Sequence, residues 1–425
     1  MFDLIVRGGT LPDGRVADIG VRDGLIAAVE RLPTGVEAGE VVDASGDLVS
    51  PPFVDPHFHL DAALSYGRPR INASGTLLEG IALWGELRAK ATAEEMKARA
   101  LDYCDWAVSM GLLAIRSHVD TSGPDLRGVE AMLDVREAVK DYLDLQLVAF
   151  PQDGLYRADG ALENTIRALD MGVDVVGGIP HFERTMADGA ASLRQLCEIA
   201  AERGLMVDIH CDETDDPMSR HIETLSAETH RLGLGGRVTA SHLTSMHSMD
   251  NYYVSKLLPL ILEAGVSVIP NPLINIMLQG RHDSYPKRRG MTRVKEMLAL
   301  GIPVGWGQDC VRDPWYSLGT ADMLDVAFMG LHVAQMSQPD EMRQCFRMVT
   351  EENAKIIGLE GYGLRIGATA SLVVLDAGDP IEALRLRPDR LLVVSRGKVV
   401  SRKARNDARL TQPGCSRPTP PRATG

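Results

Sequence analysis

The sequence predicts an α/β protein built on a (β/α)8 TIM barrel, with a small β-sandwich formed by both chain ends. Through the middle of the chain, apolar β-rich runs, most of which begin at a glycine, end in polar residues. Segments of helical pattern separate these runs, and strands that alternate with helices are typical of a parallel sheet. Eight runs are present, the number of units in a closed barrel, at 51–61, 111–120, 144–152, 172–181, 204–210, 236–242, 265–271 and 301–309.

The intervening helices are indicated by their first turns and by their spacing. Thr92 and Glu95 match the S/T-x-x-E pattern of a capping box, which predicts a helix from there to about residue 110. Apolar residues recur at three- and four-residue spacing over 192–202 and 253–263. We assign residues 51–365 to the barrel, and this span exceeds the roughly 250 residues typical of the fold, which leaves room for long loops.

The two chain ends differ from the middle. Residues 1–50 and 366–402 contain short β-rich runs and turns. Neither end supplies enough strands for a buried core, so we expect them to pair into one β-sandwich beside the barrel. The last stretch, 403–425, is rich in Pro, Arg, Thr and Gly and lacks apolar periodicity, which predicts a disordered tail.

The composition excludes several functional classes. The 425 residues carry a net charge of −13, with a pI near 5.4, which argues against binding to nucleic acid. The sequence shows neither a signal peptide nor an apolar run of about 18 residues, so no membrane partner is expected. Six cysteines without C-x-x-C spacing indicate free thiols in a reducing cytoplasm rather than a disulfide framework.

Several polar residues follow the predicted strands, at the ends that meet at the barrel mouth. His57 and His59 are two positions apart, so an extended backbone points both imidazoles to the same side. Such a pair can bind a metal ion or can form hydrogen bonds with the backbone, and further ligands decide between these alternatives. The other strand-end residues are Gln152, His210, Glu213, His242 and Asp309. Three histidines and one carboxylate among them predict a metal site.

Proton chemistry suggests roles for the remaining groups. A bound divalent ion would lower the pKa of its water towards about 7, and Asp309 and His242 could accept protons from that water. Glu213 lies three residues beyond His210, so it can reach a substrate atom near the metal without being a ligand. Glu213 could instead be an acid at a helix N-terminus, a role that Asp212 could fill equally well.

The chain resembles the bacterial cytosine deaminases of the amidohydrolase superfamily over nearly its whole length except the tail. This resemblance rests on several short motifs. They include His57-Phe-His-Leu-Asp61, Leu147-Val-Ala-Phe-Pro-Gln152, Val175-Val-Gly-Gly-Ile-Pro-His-Phe-Glu183, His210-Cys-Asp-Glu213, Tyr285-Pro-Lys-Arg-Arg-Gly290 and Asp313-Pro-Trp-Tyr316.

The resemblance implies a hydrolytic deaminase that holds one Fe²⁺ or Zn²⁺ ion, and this type of ligand set also suits Mn²⁺. The implied ligands are His57, His59, His210 and Asp309. Glu213 would protonate a ring nitrogen of the substrate, and His242 would contact the attacking water. Gln152 would bind the amide-like edge of the ring, and Trp315 would line the pocket. Strand four offers His181 and no lysine, so the carbamylated lysine that bridges two metals in other amidohydrolases is absent.

One position departs from the family pattern. Cys310 stands where cytosine deaminases usually carry a second aspartate beside the substrate, and this change leaves a more apolar wall. We therefore hypothesise that the substrate is 5-methylcytosine or another aminated ring such as isoguanine, although the change could also be drift without effect. A triazine or creatinine-like ring, or a non-catalytic assembly protein, are the alternatives. The resemblance also suggests a homo-oligomer that acts on a small pyrimidine or related nucleobase.

Overall fold

A computed structural model of the chain describes residues 1–405, together with the backbone of 408–409 and 418–419. These last two segments pair as a two-residue antiparallel ladder. Most of the stretch predicted to be a disordered tail, 403–425, lies outside the described residues.

Apart from this short ladder, the described residues form two sheets, and their strands follow one another along the chain in three groups. The first group opens the chain, the second forms the barrel and the third closes the fold. The strands are β1 (Phe2–Thr10), β2 (Val16–Arg22), β3 (Leu25–Glu30), β4 (Ala38–Asp43), β5 (Leu48–Ser50), β6 (Phe53–Phe58), β7 (Leu112–Asp120), β8 (Asp144–Phe150), β9 (Val175–Gly178), β10 (Met206–Cys211), β11 (Val238–His242), β12 (Val266–Ile269), β13 (Leu372–Leu375), β14 (Arg390–Ser395) and β15 (Lys398–Arg402).

Helices separate the barrel strands and continue beyond them. The helices are α1 (Leu77–Arg88), α2 (Ala93–Ser109), α3 (Arg127–Val139), α4 (Ala161–Asp170), α5 (Met186–Arg203), α6 (His221–Arg231), α7 (Asn251–Ala264), α8 (Pro272–Leu278), α9 (Val294–Leu300), α10 (Met323–Val333), α11 (Pro339–Arg347), α12 (Glu351–Ile356) and α13 (Pro380–Leu386). Thr92 caps α2 with the predicted capping box, and the helices predicted over 192–202 and 253–263 are parts of α5 and α7.

Strands β6 to β12 form a parallel sheet of seven strands in sequential order. Each neighbouring pair is parallel, and helices lie between successive strands, so the sheet curves into a nearly closed barrel. The predicted barrel fold is therefore confirmed. Within the part of the chain that the structure describes, no helix is long and apolar enough to span a membrane.

The eighth unit closes the barrel as an irregular segment. It forms isolated parallel bridges from Val304 to Val268 of β12 and from Asp309 to Phe58 of β6. On the β6 side, the amide of Asp309 donates to the carbonyl of His57 at 2.8 Å, and the amide of His59 donates to the carbonyl of Asp309 at 3.2 Å. This closing segment (304–309) thus contacts both edges of the sheet, although it is less regular than the strand predicted over 301–309.

Two close side-chain contacts explain this irregularity. A Cβ atom at Gly305 would lie 1.9 Å from Oδ1 of Asn353, and one at Gly307 would lie 2.1 Å from Oδ1 of Asn271. Both positions therefore require glycine, and glycine weakens a regular strand. Pro303, just before the segment, also lacks an amide proton for a ladder.

The chain ends share one β unit, as predicted from their strand patterns. Eight strands form a single mixed sheet in the order β15-β14-β13-β5-β1-β2-β3, and β4 pairs with β1 beside β5. Leu4, Val6 and Ile19 from the first end share one apolar core with Leu372 and Val394 from the second. The domain boundaries 1–50, 51–365 and 366–402 stay predictions.

Candidate active site

The four predicted metal ligands meet at the barrel mouth. His57 and His59 lie at the end of β6, His210 near the end of β10, and Asp309 on the closing segment. Nε2 of His210 lies 3.2 Å from Nε2 of His57 and 3.0 Å from Nε2 of His59. Oδ1 of Asp309 lies 3.4 Å and 3.3 Å from the same two nitrogens of His57 and His59. All four side chains are buried.

This donor set fits a divalent cation. The three Nε2 atoms face one another, and each offers a lone pair or a single proton, so they cannot satisfy one another mutually. A cation among three imidazole nitrogens and one carboxylate oxygen resolves this conflict. The ligand atoms lie within 4.8 Å of one another, as one shared ion requires.

The backbone is strained at one of the predicted ligands, Asp309, and at His242. Asp309 and His242 have φ angles of 70° and 71°, a region that residues other than glycine rarely adopt. The hydrogen bonds between Asp309 and β6 hold the first of them in place. Strained backbone of this kind clusters at functional sites.

The structure decides between Asp212 and Glu213 as the acid at a helix N-terminus. The Asp212 carboxylate accepts hydrogen bonds from the amides of His221 (3.1 Å) and Ile222 (2.9 Å), at the start of α6, and from the hydroxyl of Ser219 (2.6 Å). Asp212 therefore anchors the helix, and Glu213 is left to face the cavity.

Glu213 lies beside His242 and the metal ligands. Its Oε1 is 3.4 Å from Nδ1 of His242, and that nitrogen is 3.9 Å from Oδ2 of Asp309. Burial and the negative charge of Asp309 raise the pKa of Glu213 well above its ordinary value. Glu213 is thus suited to hold a proton at neutral pH.

His242 is oriented by the side-chain amide of Asn275 on the neighbouring helix α8. The Asn275 side chain donates from Nδ2 to Nδ1 of His242 at 2.9 Å, and its Oδ1 accepts the amide of Asn271 at 2.9 Å. Because Oδ1 already accepts this proton, the amide nitrogen of Asn275 must face the imidazole. Burial lowers the pKa of His242 well below its ordinary value, so the ring is neutral.

A cavity opens above the metal ligands and encloses about 280 Å³ of empty space, including its mouth. All three residues predicted to bind substrate line it. Its walls are His59, Leu77, Gln152, Ile179, His210, Glu213, Ile274, Leu278, Asp309, Cys310 and Trp315.

The outer part of this cavity is held by packing around Trp315. A Cβ atom at Gly80 of α1 would lie 2.2 Å from Cδ1 of Trp315, so only glycine allows the indole to rest there. Below it, Oδ1 of Asp313 accepts the amides of Trp315 and Tyr316, each at 2.9 Å. Burial raises the pKa of Asp313 to about 7.

Sequence reasoning did not select several buried polar residues that contact the predicted ones. They surround His57 and His242 from neighbouring strands and from α8, and are Arg116, Asp208, Ser241, Asn271 and Asn275. A usable signal was present for one of them. Asp208 stands two positions before His210, so strand alternation places both side chains on the same face.

Comparison with known proteins places this geometry in a family. The model of the Amidohydrolase family matches residues 40–401. The chain belongs to this family. Its barrel is therefore that of an amidohydrolase.

Individual relatives agree with this family membership. The N-isopropylammelide isopropyl amidohydrolase of Pseudomonas sp. (strain ADP) is 29% identical over 94% of this chain and 97% of that protein. The pterin deaminase of Rhizobium rhizogenes is 32% identical over 91% of this chain and 88% of that protein. The crystal structure of 5-methylcytosine deaminase from Klebsiella pneumoniae liganded with 5-fluorocytosine matches with a TM-score of 0.93 and 40% identity, over 96% and 99% of the two chains. The predicted resemblance to amidohydrolase deaminases is thereby confirmed.

Proposed function

We propose that the protein hydrolyses 5-methylcytosine to thymine and ammonia. The predicted class, a metal-dependent deaminase of an aminated heterocycle, is confirmed by the family and by the deaminases among its relatives. The choice of 5-methylcytosine within that class is the finer proposal. It is supported by the nature of one cavity wall and by the similarity to the Klebsiella pneumoniae enzyme.

Cys310 is the observation that carries this choice. It lines the cavity, and Leu77, Ile274 and Leu278 are also among the lining residues, so the cavity offers apolar and sulfur surface. A ring methyl group gains by leaving water for such a surface. A carboxylate at position 310 would instead be desolvated next to Asp309 and would repel it.

We also propose that His57, His59, His210 and Asp309 hold one divalent ion, Fe²⁺, Zn²⁺ or Mn²⁺. The convergence of their donor atoms supports this assignment, and elemental analysis of the purified protein identifies the metal. Such an ion acts as a Lewis acid and lowers the pKa of a water molecule bound to it. A homo-oligomeric state and a cytoplasmic location belong to the same proposal.

The side chains of the cavity supply the proton transfers. Glu213, neutral because it is buried, donates a proton to the ring nitrogen next to the carbon that carries the amino group. Ionised Asp309 accepts one proton that the attacking water loses and passes it to the amino group, which leaves as ammonia, and the second proton of the water returns to Glu213. Neutral His242 contacts the attacking water. Gln152 can pair with the amide-like edge of the ring, because its side chain offers both a donor and an acceptor. Trp315 covers the ring from the side of α1.

The test compares ammonia release from 5-methylcytosine, cytosine, isoguanine, a triazine and creatinine by the wild type and by Cys310→Asp. We expect the wild type to prefer 5-methylcytosine. In Cys310→Asp, the ratio of kcat/KM for 5-methylcytosine to that for cytosine should fall about tenfold or more, because one buried methyl group contributes about 1–3 kcal/mol.

Cys345→Ser is the matched control, since Cys345 is also a buried free thiol but lies outside the cavity lining. It should leave the substrate ratio unchanged. A strong wild-type preference for cytosine that Cys310→Asp does not alter contradicts the proposal. Turnover of isoguanine, a triazine or creatinine alone would retain the deaminase class and replace the substrate.

A further inference from the structure

A charged layer lies inside the barrel, beneath the metal ligands. Arg116 of β7 and Asp208 of β10 are completely buried, and Nη1 of Arg116 donates to Oδ2 of Asp208 at 3.1 Å. Thr239 of β11 pairs with Asp208 in the sheet and contacts the same guanidinium at 3.4 Å. Barrel interiors are ordinarily filled by branched apolar side chains. This layer is therefore an exception that calls for a cause.

Stability does not supply that cause. Removing two charges from water costs several kcal/mol for each ion, and well-packed apolar residues often replace a buried ion pair without loss of stability. The Arg116–Asp208 pair is fully enclosed, so it bears this cost in full. What the pair contacts next is more informative.

The pair reaches the metal site through one hydroxyl group. The Ser241 hydroxyl donates its proton to Oδ1 of Asp208 at 2.9 Å, and the Oγ atom of Ser241 also lies 2.8 Å from Nδ1 of His57. A hydroxyl has one proton to donate. Because both Asp208 oxygens act as acceptors, the Ser241 proton points to Asp208, and Nδ1 of His57 must be the donor to Ser241.

These donor and acceptor assignments fix the tautomer of His57. With the proton on Nδ1, the Nε2 atom carries a lone pair and points at His210 and Asp309. Direct contact with the carboxylate does not replace the hydroxyl, because Nδ1 of His57 is 3.8 Å from Oδ1 of Asp208. The serine therefore bridges a gap that the carboxylate alone leaves open.

We propose that Asp208, acting through Ser241, is a positioning residue that holds His57 in the Nδ1–H tautomer for metal binding. Arg116 orients and neutralises Asp208 from the opposite side. This inference rests on the metal centre of the proposed function and is independent of which ring the enzyme hydrolyses.

The test measures zinc affinity by competition with a chelator and records the visible absorption spectrum of the Co²⁺-substituted protein. Ser241→Ala should bind zinc about 10–100-fold more weakly, the usual effect of losing a residue that orients a metal ligand, and should alter the cobalt spectrum. Ser192→Ala is the matched control. It loses a buried serine hydroxyl on α5, which donates to the carbonyl of Gly189 at 2.8 Å and does not contact the charged layer, so it should bind zinc as the wild type does.

An isosteric pair separates the hydroxyl from packing effects. Ser241→Thr and Ser241→Val add the same volume, and only the threonine keeps a hydroxyl, so Ser241→Thr should bind zinc about 10–100-fold more tightly than Ser241→Val. Equal affinities in this pair, or a wild-type affinity and spectrum in Ser241→Ala, would overturn the inference. Substrate turnover enters neither measurement, so failure of the 5-methylcytosine proposal leaves this test intact.

Discussion

The two walls of the cavity are held in different ways. The inner wall carries His59 and His210 at strand ends and Asp309 on the closing segment, where main-chain hydrogen bonds of the barrel fix each position. The outer wall carries Leu77 and Trp315, which come from α1 and a loop and are placed by side-chain contacts. The reaction chemistry thus depends on rigid backbone, whereas the outer contacts to the substrate come from side chains that can change with little effect on the fold.

The difference predicts that inner-wall changes reduce kcat and outer-wall changes mainly raise KM. Inner-wall groups act on atoms that gain or lose protons, so their removal affects the transition state. Outer-wall groups contact the ring in the same way before and during the reaction, so they contribute uniform binding. Two substitutions test this division, and a third tests the residue that supports Trp315 in the outer wall. They follow in order of decreasing effect.

Glu213→Gln should have the largest effect. The amide keeps the shape of the side chain but cannot donate the acidic proton, so kcat should fall about 10²–10⁴-fold while the metal content stays that of the wild type. Steady-state kinetics and elemental analysis check this result. Glu223→Gln on α6 is the control, because its carboxylate accepts from Tyr253 at 2.6 Å and lies outside the cavity lining; it should keep the wild-type kcat. A Glu213→Gln enzyme with unchanged kcat would contradict the assigned role.

Gly80→Ala should act on the outer wall. The new methyl group must displace Trp315, so KM should rise about tenfold, or roughly 1.4 kcal/mol, with little change in kcat. Gly85→Ala on the same helix is the control, because nothing lies within 4 Å of its added Cβ and alanine favours a helix. If both variants showed the same KM, Trp315 would not depend on Gly80.

Asp313→Asn should change the pH dependence of the protein's stability rather than catalysis. Burial raises the pKa of Asp313 to about 7, above its ordinary value. As pH rises from about 4 to 7, the unfolded chain therefore loses this proton first, and the contribution of Asp313 to stability falls. Asparagine can still accept the two amides without this loss.

Thermal unfolding at pH 5 and pH 8 measures the effect of Asp313→Asn. The Tm of Asp313→Asn minus the Tm of the wild type should be about 2–4 °C larger at pH 8 than at pH 5. Asp340→Asn, on an exposed side chain of α11, controls for the loss of one carboxylate and should show the same offset at both pH values. A pH-independent offset for Asp313→Asn would show that this carboxyl is ionised in the folded state.

Features with a local signal could be predicted from the sequence. The capping box at Thr92 depends only on its own helix, and the two-residue spacing of His57 and His59 depends only on an extended backbone. The convergence of His210 and Asp309 with them follows from the geometry of any parallel barrel. The fold and the candidate ligands could therefore be predicted from local patterns in the sequence.

Features that depend on distant pairing could not be predicted. Arg116 and Asp208 are 92 positions apart, and a charged residue inside a strand gives no indication of its partner. The hydrogen bond from Asn275 to His242 likewise depends on how α8 packs at the barrel mouth. The irregular form of the closing segment follows from Asn353 and Asn271 approaching two glycines, which only the assembled barrel reveals.

The contact between the first barrel strand and the closing segment has a consequence for how the protein folds during synthesis. The buried Asn353 side chain donates to the carbonyls of Val54 and Trp306, each at 2.8 Å, and so ties the first strand of the barrel to the segment that carries Asp309. Because the ribosome synthesises the chain from its N-terminus, His57 emerges nearly 300 residues before Asn353, whose side chain holds the first barrel strand beside Trp306. The four predicted ligands can therefore reach their final arrangement only after residue 353 has been synthesised.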